Sequence, residues 1–165
     1  MPIVNGVSSQ PHPSALKLDA IMLSYLKNPD IAMEIKADLL YLPAIGHFCK
    51  AVFSRHPSLQ GREDQLAYNL ELIIYEACSN VIRHAYSFQE PGKLKFKLHF
   101  DETSIILQVI DFGPGFDPSS IPTPDVTNPR ETGMGLYIIR KTVDVLKYGF
   151  SEQEGGNVMH MEKRL

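Results

Sequence analysis

Glu76 and Asn80 stand four residues apart in YEACSNVIRHAY, the stretch from Tyr75 to Tyr86. One can take up a proton. The other offers a neutral oxygen and amide hydrogens. On a helix turning about 100° per residue the two lie about 40° apart, one turn from each other. Leu70, Ile73, Ile74, Ala77, Cys78, Val81, Ile82 and Ala85 gather on one broad side of the same wheel. Glu76 and Asn80 sit at its margin, with Arg83 beside them and His84 just beyond Asn80. An isolated Glu/Asn pair is ordinarily a solvated helix face. It becomes informative only if the rest of the chain supplies something to bind.

Two glycine-bearing loops do so. DFGPG, Asp111 to Gly115, ends a strand in which Ile105, Leu107 and Val109 share parity with Asp111, while the other parity contains Gln108. If the uninterrupted parity faces the helices, Asp111 enters the core layer. A buried carboxylate needs donors. An adenine amino group is one candidate, and a turn made with the following glycines is the other. In TGMGLYIIR, Gly133 and Gly135 precede an apolar helix, where bare backbone amides can reach a phosphate. A G-x-G alone is weak, and neither Rossmann spacing nor a P-loop is present. DFG also occurs in eukaryotic-type protein kinases, but their Gly-rich loop, strand lysine and H-R-D motif are missing.

The elements that must position these residues follow from periodicity. A short helix is expected from Ser14, with Ser14 as N-cap. Its apolar residues fall on more than one side, so it must pack against something, a second subunit being one option. AMEIKA alternates as a half-buried strand. Helices follow over 40–53 and 62–86. GKLKFKLHF and SIILQVIDF form a hairpin turning at 101–103. Pro118, Pro122, Pro124 and Pro129 make 116–132 a loop. GMGLYIIRKTVDVLKY reads as a helix, and YGFSE and NVMHMEKRL as closing strands. This order implies an α+β two-layer sandwich, with helices on one face of a mostly antiparallel mixed sheet.

A chain of 165 residues with 44% hydrophobic residues fits one soluble domain. The net charge of −3 argues against general nucleic-acid or anionic-membrane binding. With no spanning segment and no secretory signal, a cytoplasmic protein is expected. Cys49 and Cys78 read as small buried hydrophobes, and the scattered histidines give no zinc spacing.

Taken together, EACSN, DFGPG and GMGL resemble the N, G1 and G2 boxes of the GHKL ATPases, whose domain is the Bergerat ATP-binding fold. The resemblance is closest to bacterial anti-sigma-factor serine kinases and covers roughly Met33 to the C-terminus. It implies a histidine-kinase-like ATPase domain over 29–165, preceded by an extension, 1–28, with a short helix. By the resemblance, Asn80 holds Mg²⁺ on the ATP phosphates and Glu76 is the general base. Asp111 accepts from the adenine amino group, and Gly113 and Gly115 admit the nucleotide. Gly133, Gly135 and Leu136 form the phosphate-side box, with Arg83 and His84 as further cofactor contacts. Residues 116–132 form a lid whose one basic residue, Arg130, contacts phosphate. Two features depart from the pattern. Asn157 stands in GGN where relatives have threonine, and the lid carries Asp117, Asp125 and Glu131 against one arginine. The implied function is an ATP-dependent serine kinase that phosphorylates a STAS-domain antagonist and sequesters a partner such as a sigma factor. A homodimer is compatible with it. The alternatives are a non-catalytic nucleotide-dependent binding module, or a histidine-kinase-like domain acting on a separate phosphoacceptor protein.

Overall fold

The computed structural model describes residues 16–61, 63–86, 92–115 and 134–165. Strand β1 (Leu16–Lys17), helix α1 (Ala20–Lys27) and strand β2 (Ile31–Lys36) come first. Helices α2 (Leu42–Phe53) and α3 (Glu63–Asn80) follow, and α3 continues into a π-helical turn over Val81–Ala85. The hairpin is β3 (Lys93–Phe100) with β4 (Ser104–Asp111). Helix α4 (Met134–Thr142) and strands β5 (Val145–Ser151) and β6 (Gly156–Arg164) complete the chain.

The six strands form one sheet in the order β1-β5-β6-β4-β3-β2. Every pairing is antiparallel except β1 with β5. Alternation decides what each face meets. Leu94, Phe96, Leu98, Ile105, Leu107 and Val109 are fully buried in the core shared with α2, α3 and α4. Asp111 has their parity and is itself 0% exposed, so the parity argument holds. The α+β sandwich is therefore the one expected, with α2–α4 on one face of a mixed, mostly antiparallel sheet.

Helix α1 covers the opposite face. Leu18, Met22 and Leu26 bury against Ile110 and Val158, and each such apolar side chain contributes about 1.5–3 kcal/mol. Polar contacts fix the helix lengthwise. Lys147 bridges to Asp19 at 3.0 Å, Gln108 Nε2 donates to the Met22 carbonyl at 3.1 Å, and Lys97 Nζ donates to the Leu26 carbonyl at 2.6 Å. The chain's own sheet thus supplies the packing partner that the helix required.

Two boundaries differ from expectation. The first helix begins at Ala20, where the Asp19 side chain accepts from the Met22 amide. Leu16 and Lys17 pair with Gly149 and Phe150 as a strand, and Ser14 lies outside the described residues. The last helix stops at Thr142 instead of running to Tyr148. Val143 and Val145 are β-branched and weak helix formers, and β5 pairs residue for residue with β6 from Val145 onward. The Pro-rich stretch 116–132 lies outside the described residues. Among the described residues, no helix is long and apolar enough to cross a membrane.

Candidate functional site

The apolar side of α3 is buried as the wheel requires: Leu70, Ile73, Ile74, Ala77, Cys78, Val81, Ile82 and Ala85 all lie in the core. Burial raises both thiols, Cys49 to about 12, so neither is a thiolate near neutrality. Glu76 and Asn80 are half-buried at the margin, and Arg83 and His84 are exposed on the π-helical turn. Such turns concentrate at functional sites.

What the margin faces is the start of α4. A Cβ built on Gly135 would run into the Glu76 carboxylate and come within 3.3 Å of Asn80 Oδ1. The first turn of α4 therefore rests directly on the pair, and the N–H groups of a helix's first turn are those without an intrahelical acceptor. Partial desolvation raises the Glu76 pKa, opposed by the Arg83 charge. That direction suits a group that must take a proton near neutral pH. Asn80 Nδ2 is buried with no partner among the described residues.

Asp111 closes the other end. Its Oδ1 accepts from Asn157 Nδ2 at 2.9 Å and from the Gly113 amide at 3.1 Å, and its Oδ2 accepts from the Tyr148 hydroxyl at 3.1 Å. Burial lifts its pKa to about 6 despite those three donors. Gly113 lies against the end of the π-helical turn, where a Cβ would come 2.5 Å from the Ala85 carbonyl. Tyr86 ties the two segments together: its hydroxyl accepts from the Phe112 amide and donates to the Lys93 carbonyl. Gly115 has φ +75, and a Cβ there would meet the Asn157 amide at 3.0 Å. That position combines a left-handed backbone with a close approach, and glycine alone tolerates both.

A cavity of about 180 Å³ is lined by Leu136, Arg140, Leu146, Tyr148 and Met159. It adjoins Asp111 through Tyr148. Pockets that enclose a whole drug-sized ligand measure roughly 300–1,000 Å³, so this one admits part of such a ligand, and its walls are largely apolar. Leu136 is buried in its wall.

The structure thus brings Glu76, Asn80 and Gly135 together, and separately Asp111, Gly113 and Gly115. Arg130 and Gly133 lie outside the described residues. Tyr148, where the expected helix and the expected strand YGFSE overlap, carries no role in the sequence expectations. The alternation of Leu146, Tyr148 and Phe150 was the available signal. Asn157 was noted only as a departure, yet it holds Asp111 directly.

The residues present fit Mg²⁺. This ion is commonly bound through one or two protein oxygens plus waters and substrate phosphates, and Asn80 Oδ1, beside the start of α4, supplies an oxygen of that kind. No three-residue His/Cys/Asp/Glu cluster occurs among the described residues, and such a site needs none.

Residues 35–163 match the histidine kinase-like ATPase domain family. The serine-protein kinase RsbW of Bacillus velezensis is 26% identical over 125 residues, 71% of this chain and 76% of that protein. RsbW of Oceanobacillus iheyensis is 30% identical over 87 residues, 48% and 55% respectively. RsbW of Halalkalibacterium halodurans is 30% identical over 105 residues, 59% and 62%. The chain therefore spans between about half and three quarters of these curated relatives. The SiaB-SiaC complex from Pseudomonas aeruginosa contains a similar fold, with a TM-score of 0.55 at 12% identity over 91% of this chain and 100% of the other.

Proposed function

This chain belongs to the histidine kinase-like ATPase domain family, and from that membership we propose that it is an ATP-dependent protein serine kinase. Its acceptor is a serine on a STAS-domain partner, and it sequesters a regulatory protein such as a sigma factor. The observation that carries the catalytic reading is the seating of Gly135 on Glu76 and Asn80. A base and an oxygen ligand at one helix margin, under the N-terminus of a second helix, are the parts that phosphoryl transfer requires. The serine-protein kinases among its relatives support serine as the acceptor.

Asp111 and the apolar cavity hold the base of the nucleotide, leaving its phosphates toward α4. The amides that open α4 donate to phosphate oxygens. Bound Mg²⁺, held on the protein side by Asn80, would neutralise phosphate charge. Glu76 takes the proton from the serine hydroxyl as its oxygen bonds to the γ-phosphorus and the bond to ADP breaks. The partly desolvated carboxylate is the better base for its raised pKa.

Calorimetry with ATP and ADP, with and without Mg²⁺, tests the binding half. Radiolabelled transfer from ATP to a STAS-domain partner, followed by phosphoamino-acid analysis, tests the rest. Phosphoserine on the partner is the expected product. No heat at millimolar nucleotide removes the reading. Binding without transfer to the cognate partner leaves a nucleotide-dependent binding module.

A further inference from the structure

Asp111 and Asn157 are directly opposed on β4 and β6. A carboxylate offers about four acceptor positions, two on each oxygen. Asn157 Nδ2 and the Gly113 amide occupy both on Oδ1, and the Tyr148 hydroxyl occupies one on Oδ2. One acceptor position on Oδ2 remains.

The Asn157 amide is turned one way by its partners. Its Nδ2 donates to Asp111 Oδ1 and, at 3.1 Å, to the Gly113 carbonyl. Both of those atoms accept, so the carboxamide cannot be reversed without losing both bonds. Asn157 is 1% exposed, and its Oδ1 has no hydrogen-bond partner among the described residues. A buried amide oxygen left unmet is costly and uncommon in folded proteins. Two unmet acceptor positions therefore remain on side chains joined by a hydrogen bond: one on Asp111 Oδ2 and the whole oxygen of Asn157.

We infer that Asn157 is a specificity-determining residue of the nucleotide site, accepting one hydrogen of the base's exocyclic amino group while Asp111 accepts the other. The inference rests on the ATP reading above and extends it. A primary amine has two hydrogens to give and satisfies both acceptors at once. A 6-oxo purine presents lone pairs to both and is excluded. A threonine hydroxyl at this position can also donate, so it would not be restricted to accepting. Asn157, locked with its oxygen free, accepts only. The chain thus reads the amino group through both hydrogens.

The test compares ATP, N6-methyl-ATP, ITP and purine riboside triphosphate by calorimetry on wild type and Asn157→Ala. With two acceptors, wild type should bind N6-methyl-ATP on the order of tenfold more weakly than ATP, because the methyl removes a required hydrogen. ITP should be the weakest of the four. In Asn157→Ala, ATP should weaken while the penalty for the methyl group shrinks to within about threefold, because one acceptor is gone and space has opened. A residue that merely steadied Asp111 would lower all affinities and leave that ratio unchanged. Wild type binding N6-methyl-ATP as tightly as ATP overturns the inference without any variant, so a failure of Asn157→Ala to fold leaves it testable. Undiminished discrimination in a folded Asn157→Ala also overturns it. In either case ATP still binds, which separates these failures from loss of the ATP reading itself.

Discussion

Gly135, the second residue of α4, lies so close to Glu76 that a methyl group on it would overlap the carboxylate. Helix α4 and helix α3 are thus in register through a single side-chain-free position. Gly135→Ala should force either Glu76 or α4 to move. Overpacking of this kind typically costs about 1–3 kcal/mol, offset in part by the better helix propensity of alanine. Thermal melts should show a modest loss of stability. Phosphate transfer should fall much further than stability, because the displaced group is the proposed base. A variant with wild-type transfer would show that the contact is packing alone.

Glu76→Gln separates chemistry from binding. The amide keeps the size of the side chain and cannot take a proton, so transfer should drop on the order of 10²–10⁴-fold. Mg·ATP affinity should largely survive. Partial desolvation disfavours the ionised carboxyl, so the variant should melt no lower than wild type at neutral pH. In wild type, transfer should decline as pH falls through the raised pKa of Glu76. Gln should abolish that acid limb. An acid limb that persists unchanged in the residual activity assigns it to another group.

Asn80→Ala should act on binding itself. The wild-type Nδ2 is buried without a partner among the described residues, so removing the amide relieves a cost in the absence of nucleotide while removing the proposed Mg²⁺ ligand. Stability without nucleotide should hold or rise, and Mg·ATP should bind more weakly. Titrating Mg²⁺ at fixed ATP checks it. Equal Mg²⁺ dependence in both proteins would place the metal elsewhere.

These residues differ in how plainly the sequence announced them. The buried face of α3 could be read because it is local: a 3.6-residue period over Leu70 to Ala85 fixes the core side and leaves Glu76 and Asn80 at its edge. Asp111 followed from strand parity in the same way. The grip of Asn157 on Asp111 could not be read, since it spans 46 residues and depends on β4 lying next to β6. Tyr148 was hidden by competition between periods. Residues 143–148 carry apolar side chains that suit either a helix or a strand, and pairing with β6 decided the matter. The seat of α1 was likewise invisible, because Gln108 and Lys97 contact it from strands more than 70 residues away.

Asp111 and His160 make opposite contributions to acid stability. Burial raises Asp111 to about 6 from an ordinary 3.8. The folded state then binds its proton more readily, so the contribution of Asp111 is fully present below pH 3.8 and is lost as pH rises through about 6. Burial lowers His160 to about 4 from 6.5, with the Asp19 charge opposing and Lys147 assisting. Its Nδ1 lies 3.0 Å from Gln108 Nε2, within hydrogen-bonding distance. That contribution is present above pH 6.5 and is lost as pH falls through about 4. Each shift is worth about 3 kcal/mol at 1.36 kcal/mol per unit. Over roughly pH 4–6.5 the two nearly cancel in wild type. Asp111→Asn removes one side. Its carbonyl oxygen can still accept from Gly113 and Asn157, so the variant should be at least as stable as wild type at pH 7.5. Relative to wild type it should then lose about 3 kcal/mol between pH 7 and pH 4. His160→Gln should show the reverse, gaining relative to wild type as pH falls across the same window. Urea denaturation at each pH measures both. Parallel pH profiles for Asp111→Asn and wild type would show that the buried carboxyl does not titrate in this range.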